Sequence, residues 1–427
     1  MATLLSQLPD SDRERELLES AVVHAAARPS LRASALFGLL FVASRSDLEE
    51  AVGHADQILA MAVADGFRAA ALRQRAQLMG GLERYDEGLA DADAATKIWA
   101  SYGIGTAVVN GCLLASALAQ DAGRREDELA RLRHALREAE QLEVPTTVIR
   151  YRLGRALVAT GHPHEGVEAL WQVLNDEEEA DVSPADRAET CSALAQGFEA
   201  AEKYGNAVSM LEQAADLLEE AEQPVDAAEM LRRKSNILRG FEMTEEALEA
   251  LSKAWGLLED QDAPGVKVQV LEAWAFTKAQ ADDPAAVDDI DQAVAIVRGD
   301  PDGPYDWKVA DLIDSKGRVL MDLRRPDEAV AAFLQAADGY AGAGDLPASG
   351  RAEHFAAQLL AGPLERPAEA VPIWRGALAH VEAGLSRGQE AAGLRDSILI
   401  KLAEALETLG QAAEAAEARS QVADHPA

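Results

Sequence analysis

The segment that decides the fold is residues 325–337, RPDEAVAAFLQAA, where a short polar turn leads into an apolar helical pattern. Behind the turn, Ala329, Phe333 and Ala336 are spaced by four and then three residues, so they share one helix face. The same phrase of polar turn, acidic residues and small residue recurs along the chain. Its small residue, or the equivalent, falls at positions 51, 88, 128, 166, 207, 247, 287, 329, 370 and 415. The intervals cluster near forty residues and predict about ten tandem units.

Each unit is expected to hold two helices of a little over three turns, joined by short turns. The composition agrees, because 48% of the 427 residues are hydrophobic, only 5% are aromatic, and Ala, Leu and Glu dominate. A single helical hairpin cannot bury both of its faces, so neighbouring hairpins must stack. The fold class is therefore expected to be all-α, with the hairpins stacked as an α-solenoid.

This pattern resembles the tetratricopeptide repeat family, whose motif pairs a Leu-Gly step in the first helix with an Ala-x-x-x-Phe pattern in the second. Leu153-Gly154 matches the first-helix step, and Leu194-Ala195 and Leu402-Ala403 match it conservatively. Ala329 with Phe333 is the best match in a second helix. The resemblance implies a right-handed superhelix of about ten hairpins.

The chain departs from that family in two respects. Its period near forty residues exceeds the family's roughly 34, and Lys234 stands where leucine is expected. Longer helices or longer loops could each account for the period. No loop is long enough for an interdomain linker, so we expect a single array over 1–427. It would have an N-terminal capping helix within 1–30, repeats over 31–420, and a frayed tail over 421–427.

The charge balance limits the partners. There are 74 acidic and 40 basic residues, a net charge of −34, which argues against nucleic-acid binding and against docking on anionic membranes. The acidity fits a soluble protein or one with a basic partner. The N-terminus has no secretory signal pattern, and the longest apolar run, 35–43, is too short to span a bilayer. We therefore expect a cytoplasmic protein. The excess of arginine over lysine, 31 to 9, favours a GC-rich bacterial genome.

No sequence motif indicates catalysis, so we expect a protein that is not an enzyme and has no cofactor. Phosphate-binding loops, dinucleotide fingerprints, zinc-protease motifs and serine-hydrolase motifs are missing from the sequence. His162 and His164 have only Glu165 as a further nearby ligand, so we predict no metal site. Cys112 and Cys191 take the same relative place in the first helices of adjacent repeats. They are predicted to be buried apolar side chains, with a reactive thiol as the alternative.

In the resembled family, the first helices line a concave groove that holds partner peptides. The matching face here carries arginines, although the chain as a whole is acidic. The predicted ligand-binding residues are Arg73, Gln77, Tyr151, Arg152, Arg155, Arg232, Arg233, Asn236, Arg239 and Arg318. Arginine forks bind carboxylates bidentately, so the ligand would be an acidic peptide segment or a free C-terminus. Alternatively, these arginines pair internally with carboxylates such as Glu229, Glu272 and Asp314.

Three functions remain open at this point. The first is a scaffold or adaptor that binds a protein or peptide partner. The second is a regulator whose superhelix changes shape when it binds a ligand, because small rotations between repeats accumulate. The third is a subunit of an enzyme complex. A homo-oligomer is possible, since the last hairpin could pair with another copy.

Overall fold

The chain is built from helices that alternate with short turns. The structure, a computed structural model, describes residues 11–180, 182–299 and 306–422. Over these ranges it has 21 helices and no strand. After α1 they form, in chain order, ten consecutive pairs of a first and a second helix. The all-α fold class is confirmed. The first ten residues of the predicted capping segment and the tail from 423 lie outside the described residues.

The chain forms two compact units, Met1–Ala207 and Val208–Ala427, and the boundary falls inside α11. Unit 1 contains α1 (Ser11–His24), α2 (Pro29–Ala43), α3 (Leu48–Leu59), α4 (Asp65–Gly81), α5 (Tyr85–Ser101), α6 (Gly105–Asp121), α7 (Arg125–Gln141), α8 (Thr147–Ala159), α9 (Pro163–Glu179), α10 (Pro184–Ala200) and the start of α11 (Tyr204–Glu220). Unit 2 contains the rest of α11, then α12 (Pro224–Gly240), α13 (Thr244–Leu258), α14 (Pro264–Gln280), α15 (Ala286–Gly299), α16 (Asp306–Asp322), α17 (Pro326–Gly342), α18 (Leu346–Ala361), α19 (Pro367–Ser386), α20 (Ala392–Thr408) and α21 (Ala412–Ser420). A single array across both units stays a prediction.

The helices are longer than the sequence suggested. Most have 17 residues, for example α5 and α12, which is nearly five turns rather than three. The turns between them often have only three residues. Two such helices and two such turns make the period near forty, so the helices rather than the loops carry the extra length.

One turn geometry ends most helices. The residue after the C-cap adopts a left-handed backbone, as at Gly123 (φ 71°) and Glu242 (φ 59°). The amide of the following residue then donates to a carbonyl of the last helical turn, as in the 3.0 Å bond from Met243 N to Leu238 O. This is the Schellman arrangement, and it fixes each helix relative to the next. The left-handed residue therefore gives most first helices a common reference point.

The recurring small residue is the fourth residue of nearly every second helix. Ala51, Ala247 and Ala329 there have no exposed surface, which confirms the pattern that predicted the repeat. In α15 the buried residue is Ala286 rather than the predicted 287, because that helix begins later in its repeat. The need for small residues is clearest where α8 packs against α9. A Cβ atom on Gly154 would lie 3.0 Å from Gly166 O, so the two backbones touch.

The first-helix register is confirmed, including at Lys234. That side chain is half-buried and reaches Glu212 of α11 with a 3.0 Å ion pair. Arg75 and Lys316 hold the same place in α4 and α16 and likewise reach carboxylates on second helices. A long cationic side chain can replace leucine here because its stem packs while its tip meets an acidic partner.

Candidate functional site

The predicted ligand-binding residues occupy equivalent places on their helices. Nine of the ten lie ten, nine or six residues before the left-handed residue that ends their first helix. These nine are Arg73 and Gln77 on α4, Tyr151, Arg152 and Arg155 on α8, Arg232, Arg233 and Asn236 on α12, and Arg318 on α16. Arg239 lies one turn further along α12. We call these three places, over the first helices that end in such a left-handed residue, the first-helix face.

Side chains of this face meet the first helix of a neighbouring repeat. In unit 1 the Tyr151 hydroxyl donates to Glu189 of α10 at 2.6 Å. In unit 2 the Ser315 hydroxyl donates to Glu272 of α14, also at 2.6 Å. Burial and the Glu189 contact together raise the pKa of Tyr151 well above its usual range. Residues of the face can therefore contact residues about forty positions away in sequence.

In unit 2 the arginines of this face are engaged by the protein itself. Arg232 binds Glu229 through two nitrogens, with Nε to Oε2 at 2.8 Å. Arg318 Nε donates to Asp314 Oδ2 at 2.9 Å, and its guanidinium lies 5.7 Å from the Phe355 ring centre. Asp314 is only 4% exposed, and burial raises its pKa although Arg318 opposes the shift. Arg232 and Arg318 are therefore paired internally, as in the alternative to a ligand groove.

The remaining predicted residues of α12 also have internal contacts. Arg239 lies over the Phe276 ring at 5.7 Å, and Arg233 contacts the Met230 sulfur at 3.9 Å. Asn236 is half-buried. On α4, Arg73 is half-buried and Gln77 is exposed. Neither of these two α4 residues lines the pocket that α8 borders.

The arginines of α8, in unit 1, differ from Arg232 and Arg318 of unit 2 in ion pairing. Arg152 and Arg155 are both exposed, and neither has a carboxylate within ion-pairing distance among the described residues. The equivalent residues on α6 and α10 are uncharged; they are Leu114, Ala117, Ala193 and Gln196. The Arg155 guanidinium lies 5.6 Å from the centre of the Tyr151 ring and also interacts with the Tyr151 hydroxyl. Both guanidinium groups are therefore accessible to a ligand.

A pocket of about 240 Å³ opens between these arginines. Gln120 of α6, Arg125 and Glu128 of α7, and Gln196 of α10 complete its polar lining. Three arginines and one glutamate give it a net positive charge. The pocket is therefore an electropositive site in a strongly acidic chain.

Glu128 lines the pocket but is not among the ligand-binding residues predicted from the sequence. It holds the fourth place of α7, where the other second helices except α15 have Ala or Gly, and is 4% exposed. Its carboxylate accepts from Arg125 at 3.1 Å and so holds that guanidinium at the pocket. The irregularity at position 128 was visible in the sequence, but its meaning depends on Arg152 and Arg155, which only the fold brings near.

A cluster in unit 2 superficially resembles a catalytic triad. His380 Nδ1 lies 2.8 Å from Glu353 and 3.4 Å from the Ser349 hydroxyl. Both contacts use the same ring nitrogen, whereas general-base catalysis needs the hydroxyl and the carboxylate on opposite nitrogens. Ser349 is also fully buried. The cluster therefore cannot activate a nucleophile in this arrangement.

Two further kinds of site, metal centres and membrane-spanning helices, are missing from the described residues. Within the described ranges, no three His, Cys, Asp or Glu side chains converge in a way that could hold a metal ion. None of the helices in the described part of the chain combines the length and apolarity needed to cross a bilayer.

Solved structures share this arrangement of helices. The apo form of RapI is similar over 78% of this chain and 98% of its own, at a TM-score of 0.51 and 11% identity. The fold is that of a tetratricopeptide-like repeat protein. Two further similar structures score lower. One is a signal-transduction ATPase with a tetratricopeptide repeat sensor from Pyrococcus horikoshii (TM-score 0.48, 12% identity, 86% of this chain and 53% of that chain). The other is the C-terminal part of a TPR repeat-containing protein from Cytophaga hutchinsonii (TM-score 0.47, 12% identity, 65% and 98%).

No protein-family model matches the sequence, and no curated protein is similar to it. The tetratricopeptide-like repeats therefore identify the fold, while the function has to be argued from the residues on it.

Proposed function

We propose that this protein binds a peptide or protein partner and that α8 of unit 1 anchors an acidic group of that partner. The observation that carries the proposal is the exposed Arg152 and Arg155 pair, which forms no ion pair with any residue that the structure describes and borders a pocket with Arg125. A guanidinium fork matches the two oxygens of a carboxylate, so neighbouring forks favour an acidic side chain or a free C-terminus. The protein acts by binding and carries out no reaction.

The lining also fits a peptide backbone. Gln120 and Gln196 lie on α6 and α10, on either side of the arginines, and each amide can both donate and accept. A peptide anchored at Arg152 and Arg155 could therefore bond to neighbouring first helices through its main chain. Hydrogen bonds to charged groups contribute about 1.5–3 kcal/mol each where water is excluded and less at exposed arginines, so the pair supplies part of the affinity and the main-chain bonds supply the rest.

The test uses a fluorescein-labelled hexapeptide that ends in Glu-Asp with a free carboxylate, followed by fluorescence anisotropy. Wild-type protein should bind it more tightly than the same peptide with neutral residues and a C-terminal amide. Arg152→Glu with Arg155→Glu should weaken binding at least about thirtyfold, because attraction becomes repulsion. The control is Arg133→Glu with Arg137→Glu on α7, which makes the same charge change outside the pocket and should change affinity less than about threefold.

Two outcomes would overturn the proposal. If both double variants weaken binding equally, the peptide senses only the overall charge of the chain. If wild type binds the acidic and the neutral peptide equally, the arginine pair does not anchor a carboxylate. Arg232→Glu with Arg233→Glu should have little effect, because Arg232 is already paired with Glu229.

A further inference from the structure

A second pocket in unit 1 contains a thiol. It has a volume of about 500 Å³ and lies between α5, α6 and α7. Ala100, Val108 and Leu142 give it an apolar wall, and Gly103 and Gly105 leave one side without side chains. Cys112 of α6 lies in the lining and is 5% exposed. A pocket of this size can accept a small organic molecule.

The thiol is in contact with a histidine. Cys112 Sγ lies 3.4 Å from His134 Nδ1 on α7, and His134 Nε2 lies 3.5 Å from Glu138 Oε1. Here the two contacts use different ring nitrogens, unlike the His380 cluster. His134 can therefore take the thiol proton on one nitrogen while Glu138 stabilises the charged ring through the other.

The pocket is lined by two cations, Lys97 and Arg131, and two carboxylates, Asp93 and Glu138, so an anion would be attracted at Lys97 rather than by the pocket as a whole. Arg131 is paired with Asp93, so those two charges largely balance. Lys97 is exposed and has no acidic partner within ion-pairing distance in the described part of the chain. An incoming carboxylate would meet the Lys97 ammonium before it reached the thiol.

Cys191 provides an internal comparison. It takes the same place on α10 as Cys112 does on α6, eleven residues before the left-handed turn. The two helices are not in adjacent repeats as the sequence suggested, because α8 lies between them. Cys191 has no exposed surface and lines none of the pockets described in unit 1. Burial raises the pKa of both thiols, to about 11 for Cys112 and about 12 for Cys191.

We propose that Cys112 is a site of reversible thiolation by a small disulfide that carries carboxylates, with His134 as the proton acceptor. The Cys112 thiol transfers its proton to His134, and its sulfur attacks one sulfur of the disulfide. A Cys112–sulfur bond forms, the original S–S bond breaks, and the leaving thiolate takes the proton from His134. Cys112 is oxidised to a mixed disulfide, and the released half of the reagent is reduced to a thiol.

The geometry of the pocket favours reaction of Cys112 with a disulfide over its oxidation by a peroxide. A peroxide is small and needs neither an apolar wall nor a cavity of this size. The half of a small disulfide that stays on Cys112 would fill the cavity and pack against the apolar wall. Because burial leaves little free thiolate at neutral pH, the reaction depends on the Cys112–His134 contact. The inference is independent of the peptide site on α8.

The experiment treats the native protein with 5,5′-dithiobis(2-nitrobenzoate), an aromatic disulfide with two carboxylates, and follows the released thiolate by absorbance. The Cys191→Ser variant should release one equivalent, at a rate at least about tenfold above that of Cys112→Ser. His134→Asn in the Cys191→Ser background should slow the release at least about tenfold while the melting temperature and helicity stay the same. Lys97→Glu should slow this reagent several-fold more than the uncharged 4,4′-dithiodipyridine.

The contrary results are equally specific. If Cys112 and Cys191 react at the same rate, or only when denaturant is added, the pocket does not admit the reagent. If His134→Asn folds normally and Cys112 still reacts at the wild-type rate, His134 is not the proton acceptor. Equal effects of Lys97→Glu on both reagents would remove the preference for an anionic disulfide.

Discussion

The first-helix faces of the two units use the same positions for different purposes. Arg155 in unit 1 and Arg318 in unit 2 both lie six residues before the left-handed turn that ends their helix. Arg318 pairs with the buried Asp314, whereas Arg155 has uncharged residues at the matching places of both neighbouring first helices. The comparison teaches that helix register sets where a side chain lies. The residues of its own turn and of the next repeat decide whether it stabilises the fold or can bind a ligand.

The largest expected effect concerns a buried titratable group on a first helix of unit 2. His354 of α18 is 4% exposed, and its Nδ1 accepts a 3.0 Å hydrogen bond from Trp374 Nε1. Burial lowers its pKa to about 4, so the folded state favours the neutral ring. Its contribution to stability is present above the unfolded pKa near 6.5 and is lost as the pH falls towards 4.

Urea unfolding of wild type and His354→Gln at pH 7 and pH 4.5 measures this effect. The unfolding free energy of wild type should fall by about 2–3 kcal/mol more than that of the variant over this range. Parallel pH curves for wild type and His354→Gln would show that His354 is not buried as a neutral ring.

The second prediction compares the two equivalent arginines directly. Arg318→Ala leaves the carboxylate of Asp314 buried without its ion-pair partner, so it should lower the unfolding free energy by about 1–2 kcal/mol. The value is below that of a fully buried pair because half of the Arg318 side chain is exposed. Arg155→Ala should cost less than about 0.5 kcal/mol, because no ion pair is lost. Chemical denaturation measures both, and equal costs would remove the distinction between the two faces.

Much of the fold was open to prediction because it depends on local patterns. The small residue at Ala247 or Ala329 and the apolar spacing after it identify a second helix from fewer than fifteen residues. Helix length was underestimated because the left-handed residue that ends a helix is often Glu, as at Glu202 and Glu242, and not the glycine that marks such turns in a sequence.

The candidate site was predictable only in part, for a physical reason. The spacing of Arg152 and Arg155 placed them on one face of a helix, and that placement is confirmed. Their lack of ion pairs could not be foreseen, because it depends on residues of α6 and α10 roughly forty positions away in either direction. Arg232 has the same local pattern, but its neighbour Glu229 engages it.

The smallest expected effect comes from removing the charge of Glu128, the carboxylate that lines the pocket beside Arg152 and Arg155. Glu128→Gln keeps the shape of the side chain and an oxygen that can accept from Arg125, but it removes a negative charge beside Arg152 and Arg155. Affinity for the acidic hexapeptide should rise about three- to fivefold, since one charge near a partly exposed site is worth up to about 1 kcal/mol. Glu177→Gln is the matched control, because Glu177 is also a buried glutamate of a second helix but lies outside that pocket. It should leave the affinity unchanged in the same anisotropy assay. A fall in affinity for Glu128→Gln would mean that Glu128 holds Arg125 in place by its charge, and that this positioning outweighs the repulsion of the ligand.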